Sequence, residues 1–208
     1  LKFNKSEISN EEYENQLLQL NEKYSNNSFS PYILIELSNL YSNKVNSTDS
    51  KDYVKRKELT EKSISYLDKI LNDFPKSEMA KTAELAKKAI LAPDYSINIE
   101  NYVSPGLNIP VRISHKNLDI LYFRILKYDE NQSEIISDFR YAEEKNKQKQ
   151  LNQIFSTFPQ VSEFQMDLKT FDDYQMHSTL AKIDPLNSGQ YLIMVSNRED
   201  FKYEKDVA

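Results

Sequence analysis

The sequence predicts an α+β protein in which helices come first and strands follow. A change of spacing along the chain carries this prediction. As far as about residue 94 the apolar residues recur three and four apart, which is the period of a helix. From about residue 95 they recur at every second position, as in a strand that faces a core. We therefore expect a helical domain of about four helices over 1–94 and a β-sandwich domain over 95–208, with a helical insertion at about 133–159.

Composition places the chain among folded proteins and excludes several classes of function. Apolar residues make up 39% and charged residues 28% of the 208 residues, which is too apolar for a disordered tail. The net charge is -5 and both signs are interspersed, so we expect no basic face for nucleic acid. No apolar run approaches the roughly 20 residues of a transmembrane helix. The absence of Cys excludes disulfides, thiolate metal sites and cysteine nucleophiles.

The first two helices are predicted from their starts. "SNEE" is a capping box in which Ser9 caps the first helix and Glu12 reaches back. "SP" predicts a second helix with Ser30 as its cap and Pro31 in its first turn, where the missing N–H costs nothing. The polar stretch 42–50 is predicted to be a loop.

The third and fourth helices are predicted at about 52–72 and from Ser77, separated by a turn at Pro75. The fourth is Ala-rich, so a neighbouring helix can approach it closely. "YLDKILNDFPKSEMAKTA" (66–83) resembles the tetratricopeptide pattern, in which an aromatic-Pro turn precedes an Ala-spaced helix. A plain helical bundle explains the same residues, and both interpretations stay open.

The strand half begins with "YSINIENYV" (95–103), where the alternation starts, and two strands of different character follow. "NIPVRISH" places Ile109 and Val111 on one face, and Pro110 marks an edge or the start of that strand. "LDILYFRILKY" is apolar on both faces and is therefore expected to be covered on both. Its outer face carries Ile120 together with Tyr122, Leu126 and Tyr128.

The insertion at 133–159 is the nearest apolar helical material to that outer face. We predict that it packs around Tyr122 and Leu126. If it does not, the same face, with Tyr128, becomes a candidate interaction surface.

Three further strand segments follow. "VSEFQMDL" (161–168) is expected to pair with "YQMHSTLAKI" (174–183) through a turn, and the last strand lies in 186–197. Leu186, Gly189 and Tyr191 form the Leu-x-x-Gly-x-Tyr pattern, typical of a corner in an immunoglobulin-like sandwich where the Tyr hydroxyl bonds back to the turn. The predicted core of the sandwich is Leu121, Phe123, Ile125, Phe164, Met166, Tyr191, Ile193 and Val195.

These motifs occur in an order that resembles a known family. A turn with Pro105 and Gly106 is followed by "IPVRISHKNLDILYFRILKYD", a helical insertion and "HSTLAKIDPLNSGQYLIMVSN". This order is similar to the N-terminal region of bacterial alpha-2-macroglobulin-like proteins, especially the Bacteroidetes type with helices ahead of its first macroglobulin domains. The likeness covers roughly residues 95 to 200.

The resemblance implies a non-catalytic structural and interaction module of a large exported envelope protein, usually lipid-anchored and similar to complement-type protease traps. It implies a location in the bacterial cell envelope, with later domains of the same chain, proteases or other envelope proteins as partners. The chain departs from the family in that Tyr102 lies one place early in its turn and no Cys is present for a thioester. We therefore interpret the chain, which opens at Leu1 without an initiator Met, as a fragment whose thioester, if any, lies beyond Ala208.

No residue pattern predicts an enzyme, a cofactor or a metal site. His115 and His177 lie on strands, outside any nucleophile-elbow or metal motif, and are expected to be structural. The acidic clusters lack the alternating oxygen ligands of a calcium loop. The alternative function is a glycan- or peptide-binding envelope lipoprotein with tetratricopeptide-like helices, which the high Tyr content favours.

Overall fold

The computed structural model describes residues 9–25 and 27–203. This part of the chain is α+β and contains six α-helices and six β-strands. Two compact units divide the chain. We call them the helical unit, Leu1–Ala92 with Phe171–Tyr174, and the sheet unit, Pro93–Thr170 with Gln175–Ala208.

The helical unit is built from four helices that pack on their neighbours in the chain. Their bounds are α1 Asn10–Lys23, α2 Ser30–Ser47, α3 Tyr53–Asp73 and α4 Glu78–Leu91. Apolar side chains from α2, α3 and α4 form its largest cluster, in which Ala83 is fully buried against Leu67 and Ile70. The small Ala83 side chain thus lets α4 lie close to α3, as the Ala spacing predicted.

The starts of α1 and α2 differ in how well they follow the prediction. Ser9 is the N-cap of α1, and its hydroxyl oxygen accepts a hydrogen bond of 3.2 Å from the Glu12 N–H. The prediction that Ser30 caps α2 is wrong, because Ser30 is the first residue of the helix and Phe29 occupies the cap. Pro31 remains in the first turn, where its lack of an N–H is harmless.

The end of α2 also corrects the prediction. The stretch 42–50 was predicted to be a loop, yet α2 continues to Ser47. Val45 gives the reason, since it is only 4% exposed and packs with Tyr41 and Leu59. Burying a Val side chain contributes about 1.5–3 kcal/mol, which outweighs the weak helix propensity of the Ser and Asn residues around it.

The segment Phe171–Tyr174 belongs to the helical unit although it follows a strand in the chain. The rings of Tyr53 and Phe171 lie 4.9 Å apart between centroids. A guanidinium nitrogen of Arg56 lies 3.6 Å from a carboxylate oxygen of Asp173, and the two side chains are 12% and 1% exposed. The contacts with α3 therefore hold this segment in place.

The sheet unit contains two antiparallel sheets of three strands each within the described residues. Their orders are β1-β2-β5 and β4-β3-β6. The strands are β1 Asp94–Ile99, β2 Ile109–Lys116, β3 Ile120–Tyr128, β4 Gln160–Asp167, β5 His177–Ile183 and β6 Gln190–Ser196.

One apolar core lies between the two sheets. Ile109, Val111 and Ile113 of β2 pack there with residues of β3 and β5. The predicted core is confirmed, because all eight residues belong to this cluster, with Leu121, Phe123 and Ile125 buried and the other five half-buried. The rings of Phe123 and Phe164 stack at its centre, 5.1 Å apart.

The predicted pairing of 161–168 with 174–183 is wrong. β4 pairs with β3, whereas β5 pairs with β2 in the other sheet, so that Ile113 lies opposite Thr179. The connection between β4 and β5 includes Phe171–Tyr174, which packs in the helical unit and is not a hairpin turn. Because alternation shows which face of a strand is apolar but not which strand lies beside it, the pattern could not reveal this pairing.

The insertion packs on the outer face of sheet β4-β3-β6 at Leu126, as predicted, while the predicted contact with Tyr122 stays a prediction. It forms a short 3-10 helix, Glu130–Gln132, and two α-helices, α5 Ser133–Tyr141 and α6 Glu144–Thr157. Leu126 is 1% exposed and packs against Ile154 and Phe158. Cover from within the chain therefore removes Leu126 from the candidate interaction surface.

Candidate functional site

A tight turn after β1 forms the first wall of the candidate site. Leu107 N–H donates to the Ser104 carbonyl over 3.3 Å, closing a four-residue turn. Gly106 has a φ of +80°, the conformation required at the third position of a type II turn, and Pro105 suits the second. Gly106 is needed here for its backbone alone, because a Cβ at this position would meet no atom within 4 Å.

The corner before β6 forms the second wall. The Tyr191 hydroxyl donates to the Asn187 carbonyl over 3.1 Å. A Cβ on Gly189 would lie 3.2 Å from the Lys127 side chain and 3.4 Å from the Tyr191 ring, so a larger residue would crowd the corner. Gly106 N–H donates to the Leu186 carbonyl over 3.1 Å, which joins the turn directly to the corner.

A groove of about 800 Å³ runs between these walls at one end of the sheet unit. Ile99, Leu107 and Ile193 contribute to its apolar lining, and Tyr102 and Tyr128 contribute rings. Tyr102 is 94% exposed and Leu107 is 60% exposed, so both side chains are accessible to a ligand. Concave sites that combine apolar side chains with polar groups are candidates for ligand binding.

The groove carries little charge. Glu100 is the charged residue of its lining, and the remaining polar lining comes from Ser, Asn and Gln side chains. At the rim the Gln190 side chain donates to the Glu130 carboxylate over 3.0 Å. The arrangement suits an uncharged or weakly basic ligand and offers no cluster of acids or bases for catalysis.

The residues singled out in the sequence come together only in part. The turn residues Pro105 and Gly106 meet the corner residues at this groove. Of the candidate interaction face, the Tyr128 ring lines the groove and stacks on Phe158 with centroids 5.9 Å apart. Tyr122 is half-buried on the outer face of its sheet. The groove itself was missed, although the Pro-Gly turn and the Leu-x-x-Gly-x-Tyr corner were signals that could have located its walls.

Removing the Tyr191 hydroxyl is expected to loosen the corner. Tyr191→Phe loses the hydrogen bond to the Asn187 carbonyl, so the free energy of unfolding should fall by about 0.5–1.5 kcal/mol. Urea unfolding measures this change. Tyr141→Phe is the matched control, because Tyr141 is 80% exposed and should tolerate the loss. Equal stability of the two variants would contradict a stabilising bond at the corner.

The two histidines face each other across β2 and β5. His115 is 2% exposed and lies opposite His177 in the register of the sheet. Burial lowers the pKa of His115, the nearby His177 lowers it further, and a hydrogen bond with the Leu118 backbone opposes both effects. His115 thus lies buried on the same face of β2 as Ile113, and its imidazole favours the neutral form.

The lowered pKa of His115 makes stability depend on pH. As the pH falls below about 6.5, the unfolded chain binds a proton at His115 before the folded chain does. The contribution of His115 to the free energy of unfolding therefore has its full value above about pH 6.5 and decreases as the pH falls further. Urea unfolding at about pH 7.5 and pH 5.5 should show a loss in the wild type that is smaller in His115→Gln. An equal loss in both proteins would disprove the role of His115.

The described residues show no other feature that assigns a function. Among them, no three His, Asp or Glu side chains are grouped closely enough to hold a metal ion. None of the described helices has the length and apolar character needed to cross a membrane. No family model, curated protein or solved structure matches this chain.

Proposed function

We propose that the chain is a non-catalytic structural and interaction module of a large exported alpha-2-macroglobulin-like protein of the bacterial cell envelope. The observation that carries the proposal is the direct link between turn and corner, in which Gly106 N–H bonds the Leu186 carbonyl while Tyr191 closes the corner on Asn187. These are the residues on which the resemblance to the family rests. They support an immunoglobulin-like sandwich as the finer description of the sheet unit.

The arrangement of the insertion supports a structural role. Arg124 of β3 lies between the rings of Phe155 and Phe201, 4.5 Å and 4.4 Å from their centroids. The same guanidinium donates two hydrogen bonds, of 3.0 Å and 3.1 Å, to the Glu163 carboxylate. An arginine engaged with two rings and one carboxylate fixes α6 on the sheet. A rigid module of this kind suits the positioning of later domains, which are the first partners that we propose.

Trapping of proteases is the activity that the family resemblance implies for the parent protein. A trap surrounds the protease, so it blocks large substrates while leaving small ones accessible. The purified parent protein should therefore inhibit digestion of casein by an endopeptidase and spare hydrolysis of a short chromogenic peptide. Equal residual activity on both substrates would contradict the trap.

The absence of catalysis is tested on the chain itself. We expect no hydrolase, nuclease or metal-dependent activity in a broad substrate panel. His115→Ala and His177→Ala are the informative variants, because these imidazoles are the general-base candidates of this chain. An activity that both substitutions abolish would overturn the proposal.

A second candidate is a glycan- or peptide-binding envelope lipoprotein with tetratricopeptide-like helices. The groove favours it, since its lining includes Tyr102, Tyr128 and Tyr191. Two of these rings are already engaged, because Tyr128 stacks on Phe158 and Tyr191 packs against the core between the sheets. Tyr102 alone is left as an open stacking surface, which favours the peptide over the glycan within this alternative.

A further inference from the structure

One strand edge borders the groove. Within the described residues β6 pairs with β3 alone and is the last strand of its sheet. Tyr191 and Ile193 of β6 line the groove. An edge strand presents backbone N–H and C=O groups that can pair with another strand.

The direction of these backbone groups follows from the hydrogen bonds of β3. Leu168 N–H donates to the Asp119 carbonyl over 2.7 Å, and Lys127 N–H donates to the Pro159 carbonyl over 2.9 Å. Odd-numbered residues of β3 therefore turn their backbone towards β4, and even-numbered residues turn theirs towards β6. Since Arg124 lies opposite Met194, the even-numbered residues of β6 bond β3. The backbone groups of Tyr191 and Ile193 consequently point outward, into the groove.

Further along the same edge of β6, the Tyr95 side chain bonds the outward backbone groups. Its hydroxyl donates to the Val195 carbonyl over 3.1 Å and bonds the Asn197 backbone N–H. A residue of a neighbouring parallel strand would use its own N–H and C=O on the same two groups. The Tyr95 hydroxyl thus occupies the place of a strand residue at Val195, while no strand of residues 9–25 and 27–203 pairs with the edge at Tyr191 and Ile193.

The core is also open beside β6. Ile193 and Val195 belong to the core cluster, yet both remain half-exposed. Their partners on β3, Ile125 and Phe123, are 1% and 0% exposed. The apolar side chains of β6 are therefore less completely buried than their partners on β3.

We propose that the groove binds an extended peptide segment of a partner protein, which adds to the free edge of β6 as a fourth strand. The backbone of the peptide would pair with the outward groups of Tyr191 and Ile193, and alternate side chains would pack against Ile99 and Leu107. This inference rests on the proposed function only in that the module binds protein.

The groove determines the chemistry of the partner. Its lining combines apolar side chains with a larger share of neutral polar groups and one carboxylate, Glu100, so we expect a peptide whose apolar residues alternate with polar ones and that is basic rather than acidic near Glu100. A second copy of this chain could pair its β6 with the same edge, so a dimer of the purified chain in sedimentation velocity would count against the peptide partner.

Peptide selection and chemical modification of the peptide test the proposal. Selection of a random twelve-residue library on the purified chain should enrich peptides with apolar residues at alternate positions. The most enriched peptide is synthesised with blocked ends and with one backbone N–H methylated at a time. Methylation at every second residue should lower the affinity at least tenfold, and methylation at the residues between should change the affinity little. No enriched peptide, or affinity that does not alternate with the N-methylated position, would overturn the proposal.

Variants of the chain locate the binding site. Ile193→Pro removes an outward N–H without removing a bond to β3, so it should weaken peptide binding at least tenfold. Gln165→Pro is the matched control, because it removes an outward N–H from β4 at the opposite edge of the same sheet and should leave peptide binding unchanged. Tyr95→Phe frees the groups at Val195 and Asn197 and should tighten binding of a longer peptide. Thermal unfolding shows whether each variant is folded. Unchanged affinity in a folded Ile193→Pro would place the peptide elsewhere and overturn the proposal.

The outcomes are separable from those of the protease trap. Peptide binding is measured on this chain, and trapping is measured on the parent protein. Trapping without peptide binding at β6 would defeat this inference alone. Peptide binding without trapping would defeat the macroglobulin-type function and leave the peptide site standing. Enrichment of oligosaccharides in place of peptides on a glycan array would count against the peptide and for the glycan alternative.

Discussion

Phe123→Ala is expected to reduce the free energy of unfolding of the sheet unit by about 3–5 kcal/mol. Phe123 is fully buried between the two sheets and stacks on Phe164 with ring planes 3° apart. Its removal loses the burial of a large ring and leaves a cavity that β2 and β3 cannot close without moving. Chemical denaturation, followed by the amide signals of β2 and β3, measures the loss in this unit.

The control for Phe123 lies on the same strand. Lys127 is exposed, so Lys127→Ala should change the free energy of unfolding by no more than about 0.5 kcal/mol. A loss below about 1 kcal/mol in Phe123→Ala would show that the alternation of β3 is assigned to the wrong faces.

Breaking the buried ion pair of the helical unit is expected to have a comparable effect. Arg56→Ala leaves the Asp173 carboxylate, 1% exposed, without the cation that lies 3.6 Å away. Removing one partner of a buried pair costs about 3–5 kcal/mol, because the other charge stays away from water. The free energy of unfolding of the helical unit, followed by the amide signals of α3, should fall by that amount.

A double variant separates the pair from its surroundings. Arg56→Met combined with Asp173→Leu removes both charges and keeps apolar volume, so it should recover most of the stability lost in Arg56→Ala. Arg198→Ala is the control, because Arg198 bonds Asp200 at the surface. Its replacement should change the free energy of unfolding little. If the double variant were no more stable than Arg56→Ala, the loss would come from packing rather than from an uncompensated charge.

Much of the local structure was determined by the sequence alone. The Ser9 cap of α1, the span of α3 and the inward face of β2 depend on residues close together in the chain, and all three occur as predicted. The eight core residues were found from alternation, because a strand that faces a core must bury every second side chain. The two-faced pattern of β3 likewise indicated a helical cover, which α6 supplies at Leu126.

The candidate groove was determined by tertiary structure. Its walls lie some 80 residues apart in the chain, and the bond from Gly106 N–H to the Leu186 carbonyl joins backbone groups that no side-chain pattern encodes. The free edge of β6 is equally hidden, because the apolar alternation of β6 shows its inward face and does not show whether a second strand pairs with it.

Partner choice between distant segments was also decided only in the folded chain. α2 extends to Ser47 because Val45 packs against Leu59. β5 pairs with β2 rather than with β4. Asp173, in the connection between β4 and β5, lies beside Arg56. Local spacing determines which face of an element is apolar, since that depends on the period of the helix or strand. Which second element packs on that face depends on the free energy of the whole packed core. The spacing of apolar residues along the sequence does not contain that information.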